Sequence, residues 1–440
     1  MNHIQLCHKR SQIVGKIIIG IDPAKAKHQA AIIDTSGAQL GKSFSFDVSY
    51  EGYTKTLWQK ITQLLPTCNC ATTIFAIETS CNLWLTLAFY LQHEGYQVLL
   101  VSPLTTHHSR PMVNHDFSRT DPKDAFLVGS NARQGFFDFY KDYPPLSNAM
   151  HRLSITYCKL RKDLARNRAR LRATIEQVFP EFLDVVTPDT HTALYLLKRY
   201  LFPGDFLELN LAQEANAIMA ISRKQYGLQT LLQLQHHARH SIGVIKTDEE
   251  CIAERLSVES WISLIETLSV HMERIITTLE AYAQRLPEYT ILQSLKGISQ
   301  ITAALFLGEV RDIYCFSHYK QLEKKAGVNL RLSQSGQYVG ARHISRIGSK
   351  RLSWLLYTMT EETAKWVPEI RAKYLRRQLK RRIHRKSVVA SIPQLLKLIM
   401  VLVKERRCYE LYPERLAALQ ALEKQYTERK EQQNKNKQAA

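Results

Sequence analysis

Four acidic residues lie at positions where the sequence predicts that strands or helices begin or end. Asp22 follows the apolar run IIIGI, and Glu78 closes the apolar run IFAI. Asp121 and Asp124, in SRTDPKDAFLVG, are spaced i and i+3, so that on a helix both side chains lie on one face. A carboxylate at the edge of a buried strand costs free energy unless it meets a cation or hydrogen-bond donors. These residue types fit metal ligation, and each acid alone also fits a turn or helix cap.

The four carboxylates, if they converge, would repel one another unless a counter-charge lies between them. Mg²⁺ (or Mn²⁺) prefers oxygen ligands and brings phosphate oxygens with it. Two such ions about 4 Å apart can polarise both the attacking and the leaving oxygen of a phosphodiester. The ordered set of acids therefore indicates metal-assisted phosphoryl transfer more strongly than any one of them does.

The elements that must position these acids alternate between short apolar runs and helical stretches, from about residue 16 to residue 146. This order, βββαβαβ, predicts an α/β domain with a mixed sheet whose ligands gather at the strand ends. The predicted strands are Ile17–Ile21, Ala30–Asp34, Ser43–Asp47, Ile74–Glu78 and Val98–Val101, and the predicted helices are Tyr53–Leu65 and Leu83–Glu94.

From about Asn148 the sequence is predominantly helical. Leu153–Val178 is rich in Arg and Lys, and Ser257–Leu286 repeats apolar residues at helical spacing. The two segments fit a long antiparallel or intermolecular coiled coil, and they fit an ordinary helical bundle equally well. Between them, Phe202–Gly227 predicts a turn and a short helical insert.

The region from Thr290 to about Val403 begins with ILQSLKGISQITAALFLGEV, which predicts two helices joined by the turn Lys296–Ser299. The arrangement is similar to a helix-hairpin-helix, whose turn amides bind a phosphate without reading bases. Ser299 replaces the second glycine of such hairpins.

The densest basic run is Arg371–Lys386, RAKYLRRQLKRRIHRK. So much positive charge favours neutralisation of a phosphate backbone, and a solvated surface helix is the alternative. After Glu423 the tail is polar and poor in apolar residues, which predicts disorder. The candidate nucleic-acid contacts are Lys296, Arg371, Lys373, Arg376, Arg377, Lys380, Arg381, Arg382, Arg385 and Lys386.

Composition points to the same class of partner. The chain has 440 residues and a formal net charge of +20, with a pI near 9.5. Such a surface calls for a polyanionic partner, and nucleic acid is the leading candidate. No membrane partner is expected, because no apolar run reaches the roughly 18 residues of a spanning helix and Met1–Arg10 lacks a signal-peptide core. Eight scattered cysteines without a CxxC pair predict reduced thiols in the cytosol.

Several motifs resemble the DEDD transposases of bacterial insertion sequences, the group that includes the Piv-type DNA invertases. In the first part of the chain they are GIDPAK at Gly20–Lys25, AIETS at Ala76–Ser80 and RTDPKDA at Arg119–Ala125. Later, LKGISQITAALFLGEV, FSHYKQLEKKAGVNLRLSQSG and HISRIGSKRLSWLLY resemble that family's carboxy-terminal domain. The motifs stand in the family's order, and the chain departs from the family pattern at Leu330, Ser349 and Ser353.

The resemblance implies a fold and a set of active-site residues. The first domain would be RuvC-like, with an RNase H-type fold, and Asp22, Glu78, Asp121 and Asp124 would form its catalytic, metal-binding tetrad. The second domain would supply a serine nucleophile on an SG motif, which here is Ser335 before Gly336; Ser333 is the rival serine. Metal ions held by the first domain would activate that hydroxyl and polarise the phosphate in a composite site.

The resemblance also implies partners. Members of the family are guided by a structured noncoding RNA, the bridge RNA, which pairs with target and donor DNA. They recombine the two DNAs as an oligomer, a dimer or tetramer joined by the coiled coil. The expected location is the bacterial cytosol or nucleoid.

The predicted fold class is α/β plus all-α, in five parts along the chain. They are an N-terminal extension (1–15), a RuvC-like DEDD domain (16–147), a helical coiled-coil region (148–286), a transposase domain with the serine (287–405), and a C-terminal helix with a disordered tail (406–440).

The leading hypothesis is an RNA-guided site-specific DNA recombinase with a Mg²⁺-dependent site and a covalent phosphoserine intermediate. One alternative is a RuvC-like nuclease or resolvase in which water attacks, so that DNA is cleaved without joining. The other is a non-catalytic nucleic-acid-binding protein that uses only the basic run and the helical arm.

Overall fold

The computed structural model describes residues 3–115, 117–331, 334–335, 338–340, 343–380 and 382–438. The chain divides into two compact units, residues 1–142 and residues 143–440.

The first unit contains the strands β1 (Ile17–Asp22), β2 (Lys27–Ile33), β3 (Gln39–Asp47), β4 (Thr73–Glu78), β5 (Gln97–Val101) and β6 (Asp138–Phe139). Its helices are α1 (His3–Ser11), α2 (Leu57–Leu64), α3 (Trp84–His93), α4 (Pro103–Ser109), α5 (Pro111–Asn114) and α6 (Asp121–Arg133), with a π-helical turn at Gly52–Thr56.

The second unit contains the helices α7 (Pro145–Val178), α8 (Phe182–Val185), α9 (His191–Leu197), α10 (Pro203–Glu208), α11 (Leu211–Ile221), α12 (Leu228–Ala238), α13 (Asp248–Ala283), α14 (Pro287–Gln293), α15 (Gln300–Val310), α16 (Tyr319–Ala326), α17 (Lys350–Trp366), α18 (Pro368–Leu379), α19 (His384–Lys404) and α20 (Pro413–Gln438). Its short strands are β7 (Leu330–Arg331), β8 (Gln334–Ser335), β9 (Tyr338–Val339) and β10 (His343–Ile344), and a 3₁₀ turn lies at Ile313–Cys315.

A mixed sheet forms the centre of the first unit. Among the described residues its six strands lie in the order β3-β2-β1-β4-β5-β6. The first three strands pair antiparallel, β1, β4 and β5 pair parallel, and β6 is antiparallel to β5. The predicted mixed α/β architecture is confirmed, and it is compatible with an RNase H-like domain. The sequence did not predict β6, because two residues are too few to show a period.

Each face of the sheet is covered by apolar helix side chains. On one face Ile19 and Ile21 pack in a cluster with α2 and α3, and on the other face Ile18 packs in a cluster with α6. The alternation follows from the two-residue period of a strand, which sends successive side chains to opposite faces. Buried β-branched runs with helices on both sides are typical of parallel strands in α/β sheets.

Two long helices, α7 and α13, pack against each other in the second unit. The amide of Val244, just before α13, donates to the carbonyl of Gln177 at the end of α7, at 2.8 Å. At the other end, Pro144 and Ser147 line the same surface cavity as Leu286. The helices therefore form an antiparallel pair within one chain, one of the arrangements that their sequences predicted.

The predicted pair of helices around Lys296–Ser299 is present as α14 and α15. Gly297 has a φ of +106°, a conformation that favours glycine, and a Cβ there would lie 2.8 Å from the backbone of Glu362 in α17. Ser299 caps α15 by accepting a hydrogen bond from the amide of Thr302, at 3.2 Å. The turn is therefore held by its contact with α17 and by a serine cap.

The prediction of a disordered tail is wrong for the described residues up to 438. They form α20, which packs on α18: Arg371 donates to Glu423 at 3.2 Å, and Arg429 donates to the carbonyl of Leu379. Ala, Glu, Lys and Gln are strong helix formers, and this propensity outweighs the low apolar content that suggested disorder.

The expectation that no apolar segment is long enough to span a membrane needs one correction. Within the part of the chain that the structure describes, α19 has the length and apolarity of such a helix. Its Val388, Ile392, Leu395 and Ile399 are fully buried in the core of the second unit. The apolar character of α19 is therefore used in packing between helices.

Candidate active site

Asp22 and Glu78 lie side by side at the carboxyl ends of two neighbouring strands. β1 and β4 are parallel, and their register pairs Ile21 with Ile77, so that the next residue of each strand is one of the two acids. Both side chains are buried. The strands therefore deliver two carboxylates to one end of the sheet, where α/β proteins bind their ligands.

Helix α6 brings Asp121 and Asp124 to the same end of β1. Arg133, at the far end of α6, donates to the carbonyl of Lys16 just before β1, at 2.7 Å, so that α6 runs antiparallel to the strand. Gly20 allows the close approach, since a Cβ there would lie 2.4 Å from the carbonyl oxygen of Ala125. The first turn of α6 thus meets the end of β1.

The four carboxylates act on one another electrostatically. The pKa of Asp22 is raised from 3.8 to about 7, first by burial and then by the charges of Glu78, Asp124 and Asp121. The pKa of Glu78 is also raised, mainly by burial, with a further contribution from Asp124. The four carboxylates are therefore close enough to influence one another, and those of Asp22, Glu78 and Asp124 are buried, whereas Asp121 is exposed.

One oxygen of this group is left without a partner. Glu78 is 5% exposed, and its Oε2 atom accepts no hydrogen bond from any described residue. A buried, unsatisfied carboxylate oxygen costs free energy that a cation would recover. This oxygen is available to bind a cation.

Two arginines that the sequence reasoning missed face Asp124. Arg110, between α4 and α5, donates from Nε to Oδ1 and from a terminal nitrogen to Oδ2, each at 2.9 Å. The Nε atom of Arg119 lies 3.5 Å from Oδ2. Arg119 belongs to the motif RTDPKDA and was within reach of motif reasoning, whereas Arg110 carries no local pattern that singles it out.

His28 holds the loop that follows Asp22, and the sequence reasoning missed it as well. Its Nδ1 accepts a hydrogen bond from the amide of Ala24 at 3.2 Å, and its Nε2 lies 2.8 Å from the hydroxyl of Tyr53. The side chain is fully buried, and burial lowers its pKa to about 4. His28 is therefore neutral at pH 7 and positions the backbone just after Asp22.

The donor types fit a hard divalent cation. Carboxylate oxygens are the ligands that Mg²⁺ and Mn²⁺ prefer, and Glu78 Oε2 is unsatisfied. Among the described residues, however, no three acidic, His or Cys side chains are arranged as a metal site, and Arg110 engages both oxygens of Asp124. The carboxylate chemistry of the four acids therefore suits such a cation.

Ser335 lies in the second unit, on the short strand β8. It pairs with Tyr338 of the antiparallel strand β9, and both strands lie between α16 and α17 in the chain. Ser333 and Gly336 lie outside the described residues. The structure thus places the predicted nucleophile on β8 and gives its backbone pairing.

The candidate nucleic-acid contacts separate into outward-facing and engaged side chains. Arg371 pairs with Glu423, Lys296 lies 3.8 Å over the ring of Trp366, and Lys373 and Arg377 are partly buried. The run Arg371–Lys386 is not one helix, because α18 ends at Leu379 and α19 begins at His384. Arg381 lies outside the described residues. The exposed cations among these candidates are Lys296, Arg376, Lys380, Arg382, Arg385 and Lys386.

Two protein-family models match parts of the chain. A family model for the DEDD transposases of the IS110 group, described as "Transposase", matches residues 19–180 and includes all four acids. A second model, described as "Transposase IS116/IS110/IS902 family", matches residues 289–375 and includes Ser335. No curated protein matches the chain. The chain is an enzyme that acts on DNA, and it belongs to the IS110 family of DEDD transposases.

Proposed function

We propose that this transposase is an RNA-guided site-specific recombinase, which cleaves and rejoins DNA with a divalent cation and a covalent link to Ser335. The observation that carries the proposal is the convergence of Asp22, Glu78 and Asp124, all nearly fully buried, at the end of β1. Such a concentration of buried negative charge has little structural use and suits metal-assisted phosphoryl transfer.

The first unit is proposed to be a RuvC-like, RNase H-type domain. The sheet order and the mixed strand directions support this assignment. The proposed domains keep the predicted boundaries: 16–147 for the RuvC-like domain, 148–286 for the helical region and 287–405 for the transposase domain, with residues 1–15 and 406–440 as extensions.

Asp22, Glu78, Asp121 and Asp124 are the proposed ligands of Mg²⁺ or Mn²⁺. A bound cation would polarise a phosphate oxygen and offset the negative charge of the four acids. The protein's own contribution is to hold the oxygens in place: β1 and β4 fix Asp22 and Glu78, and His28 fixes the loop after Asp22. Burial keeps competing water away from these oxygens.

Ser335 is the proposed nucleophile. Its oxygen forms a bond to the scissile phosphorus while one ester bond from that phosphorus to a deoxyribose oxygen breaks. The proton of the serine hydroxyl passes to a base, and the departing sugar oxygen takes up a proton. The phosphodiester energy is then retained in the protein–DNA bond, and a sugar hydroxyl of another strand can reverse the step.

Nucleic acid and a second copy of the chain are the proposed partners. The exposed cations Arg376, Lys380, Arg382, Arg385 and Lys386 suit phosphate contacts to DNA or to a structured guide RNA. Assembly as a dimer or tetramer in the bacterial cytosol or nucleoid follows from the family resemblance.

The test examines RNA guidance and the covalent attachment of DNA to the protein in one experiment. RNA that co-purifies with the full-length protein is sequenced, and a plasmid carrying its complement is incubated with the protein and Mg²⁺. We expect DNA that stays attached to the wild-type protein after denaturation in SDS. The Ser335→Ala variant should lose the attached DNA, and the matched Ser333→Ala variant should keep it.

The outcomes separate the hypotheses. Recombination by Ser335→Ala would contradict the serine assignment. Mg²⁺-dependent cleavage with no attached DNA in any variant would favour the nuclease in which water attacks.

A further inference from the structure

Arg110 forms a bidentate ion pair with Asp124. Two parallel hydrogen bonds of 2.9 Å join the guanidinium to both carboxylate oxygens. The Asp124 side chain is 1% exposed and that of Arg110 is 12% exposed, so that water screens the pair weakly. This geometry is the bidentate form that gives arginine–carboxylate pairs their strength.

The carboxyl groups around the pair outnumber the single positive charge of Arg110. Asp22 and Glu78 are also buried, and Glu78 Oε2 has no hydrogen-bond partner in the described part of the chain. Arg119, the other arginine near Asp124, is 70% exposed and approaches only to 3.5 Å. Arg110 is therefore the main buried cation of the group, and at least one carboxylate oxygen is still unsatisfied.

A divalent cation bound to Asp124 would compete with Arg110. Each Asp124 oxygen already accepts a hydrogen bond from the guanidinium, so a metal ion on either oxygen would lie close to Arg110. Two positive centres within a few ångströms in a buried place would also repel each other strongly. Arg110 would keep a partner after leaving Asp124, because its terminal nitrogen lies 3.1 Å from Nδ1 of His107.

We infer that Arg110 is the counter-ion of Asp124 in the metal-free protein and leaves Asp124 when a divalent cation binds. The inference rests on the proposed metal site and adds a positioning role for a residue outside the tetrad. Arg110 stabilises the folded protein when no cation is bound, because removing one partner of a buried pair leaves an uncompensated charge. It also weakens metal binding, because the cation must first displace it.

The test compares two arginines near the same aspartate. Full-length wild-type protein, Arg110→Gln and Arg119→Gln are titrated with Mn²⁺, and bound Mn²⁺ is measured by electron paramagnetic resonance. Thermal unfolding is recorded in parallel, with EDTA and with saturating Mn²⁺. We expect Arg110→Gln to bind Mn²⁺ about tenfold more tightly than the wild type. Arg119→Gln should stay within about threefold of the wild type, because its side chain is solvated.

Thermal unfolding provides a readout that does not depend on activity. Arg110→Gln should unfold at a lower temperature than the wild type in EDTA, and Mn²⁺ should raise its unfolding temperature more than it raises that of the wild type. If Arg110→Gln does not fold, Arg110→Lys replaces it. A lysine makes a single-point contact, so its Mn²⁺ affinity should lie between those of the wild type and a charge-free site.

Two contrary outcomes are distinct. Equal or weaker Mn²⁺ binding by Arg110→Gln, with normal binding by the wild type, would overturn the exchange and leave the metal site standing. A wild-type protein that binds no Mn²⁺ at millimolar concentration would overturn the metal site and the exchange together.

Discussion

Two nearly fully buried carboxylates, one in each unit, are paired with arginine in almost the same way. Asp124 in the first unit meets Arg110 at 2.9 Å through both oxygens. Glu309 in the second unit meets Arg351 at 2.9 and 3.2 Å, again through both oxygens. The pairs differ in what surrounds them, and this difference distinguishes a structural contact from the proposed active site.

Glu309 is satisfied by groups that tie helices together. The hydroxyl of Ser349 donates to its Oε1 at 2.5 Å, and the same hydroxyl caps α17 by accepting from the amide of Leu352. The pair thereby joins α15 to the start of α17. Asp124 instead lies beside three other carboxylates, one of which has an unsatisfied oxygen. A satisfied pair holds a fold together, whereas a pair among repelling charges can be exchanged.

The largest expected effect comes from removing one carboxylate from the group of four acids at the end of β1. Asp22→Asn should reduce DNA strand cleavage by at least about a thousandfold, because a metal ligand is lost. The same variant should unfold in EDTA at a temperature no lower than the wild type, since a buried repelling charge has gone. Labelled-DNA cleavage and thermal unfolding measure the two effects. Cleavage near the wild-type rate would contradict the prediction.

The matching change in the second unit should act on stability. Glu309→Gln should lower the free energy of unfolding by about 3 kcal/mol, because it breaks a buried ion pair and its hydrogen bonds. Mn²⁺ should not restore the loss. Denaturant titration with and without Mn²⁺ measures it, and a loss below about 1 kcal/mol would show that the pair is dispensable.

The pH dependence of stability should reveal the raised pKa of Asp22. The folded pKa, about 7, lies above the ordinary value of 3.8, so that between these values the folded state holds the proton more tightly. The stabilisation of the folded state by this proton is fully present below about pH 4 and is lost as the pH rises to about 7. The metal-free Asp22→Asn variant lacks this stabilisation. Its free energy of unfolding minus that of the wild type should therefore increase by roughly 3 kcal/mol between about pH 4 and about pH 7.

The pH series is measured by denaturant titration in EDTA on both proteins. Taking the difference removes the contribution of titrating groups that do not interact with Asp22, such as His28. A difference that stays constant from pH 4 to pH 7 would contradict the raised pKa.

A glycine decides how closely α6 approaches β1. Gly20→Ala should destabilise the protein by about 2 kcal/mol, because the added Cβ would lie 2.4 Å from backbone atoms of Ala125 and Gly129. Mn²⁺ binding should weaken as well, since α6 carries Asp121 and Asp124. Gly204→Ala is the control, with nothing within 4 Å of the added Cβ. Equal stability of the two variants would show that α6 can shift freely.

The smallest effects are expected on the basic surface of the second unit. Arg376→Ala and Lys380→Ala should each weaken DNA binding a few-fold and reduce the salt slope by about one, as for the loss of one phosphate contact. Arg371→Ala is the matched control: Arg371 pairs with Glu423, so its loss should affect α20 more than the salt slope. Fluorescence anisotropy at several salt concentrations checks this, and equal slopes for all three variants would argue against the assignment.

Much of the first unit was predictable, because its signals are local. The β-branched runs around Gly20 and before Glu78 predicted strands, and the structure confirms them as β1 and β4. The helix of the tail was mispredicted from its low apolar content, although its propensity was visible in the same residues. The engaged state of Arg371 was hidden, because its partner lies 52 residues away.

The amino-acid sequence alone determined the family and the mixed sheet and proposed the four acids, because motif order and residue periodicity are properties of neighbouring residues. Only the tertiary structure showed that Arg110 holds Asp124, that His28 supports the loop after Asp22, and which basic side chains face outward. These facts depend on contacts between residues far apart in the chain or on the direction of a side chain in the folded unit. No local pattern encodes them, so they emerge only when the helices and the sheet pack.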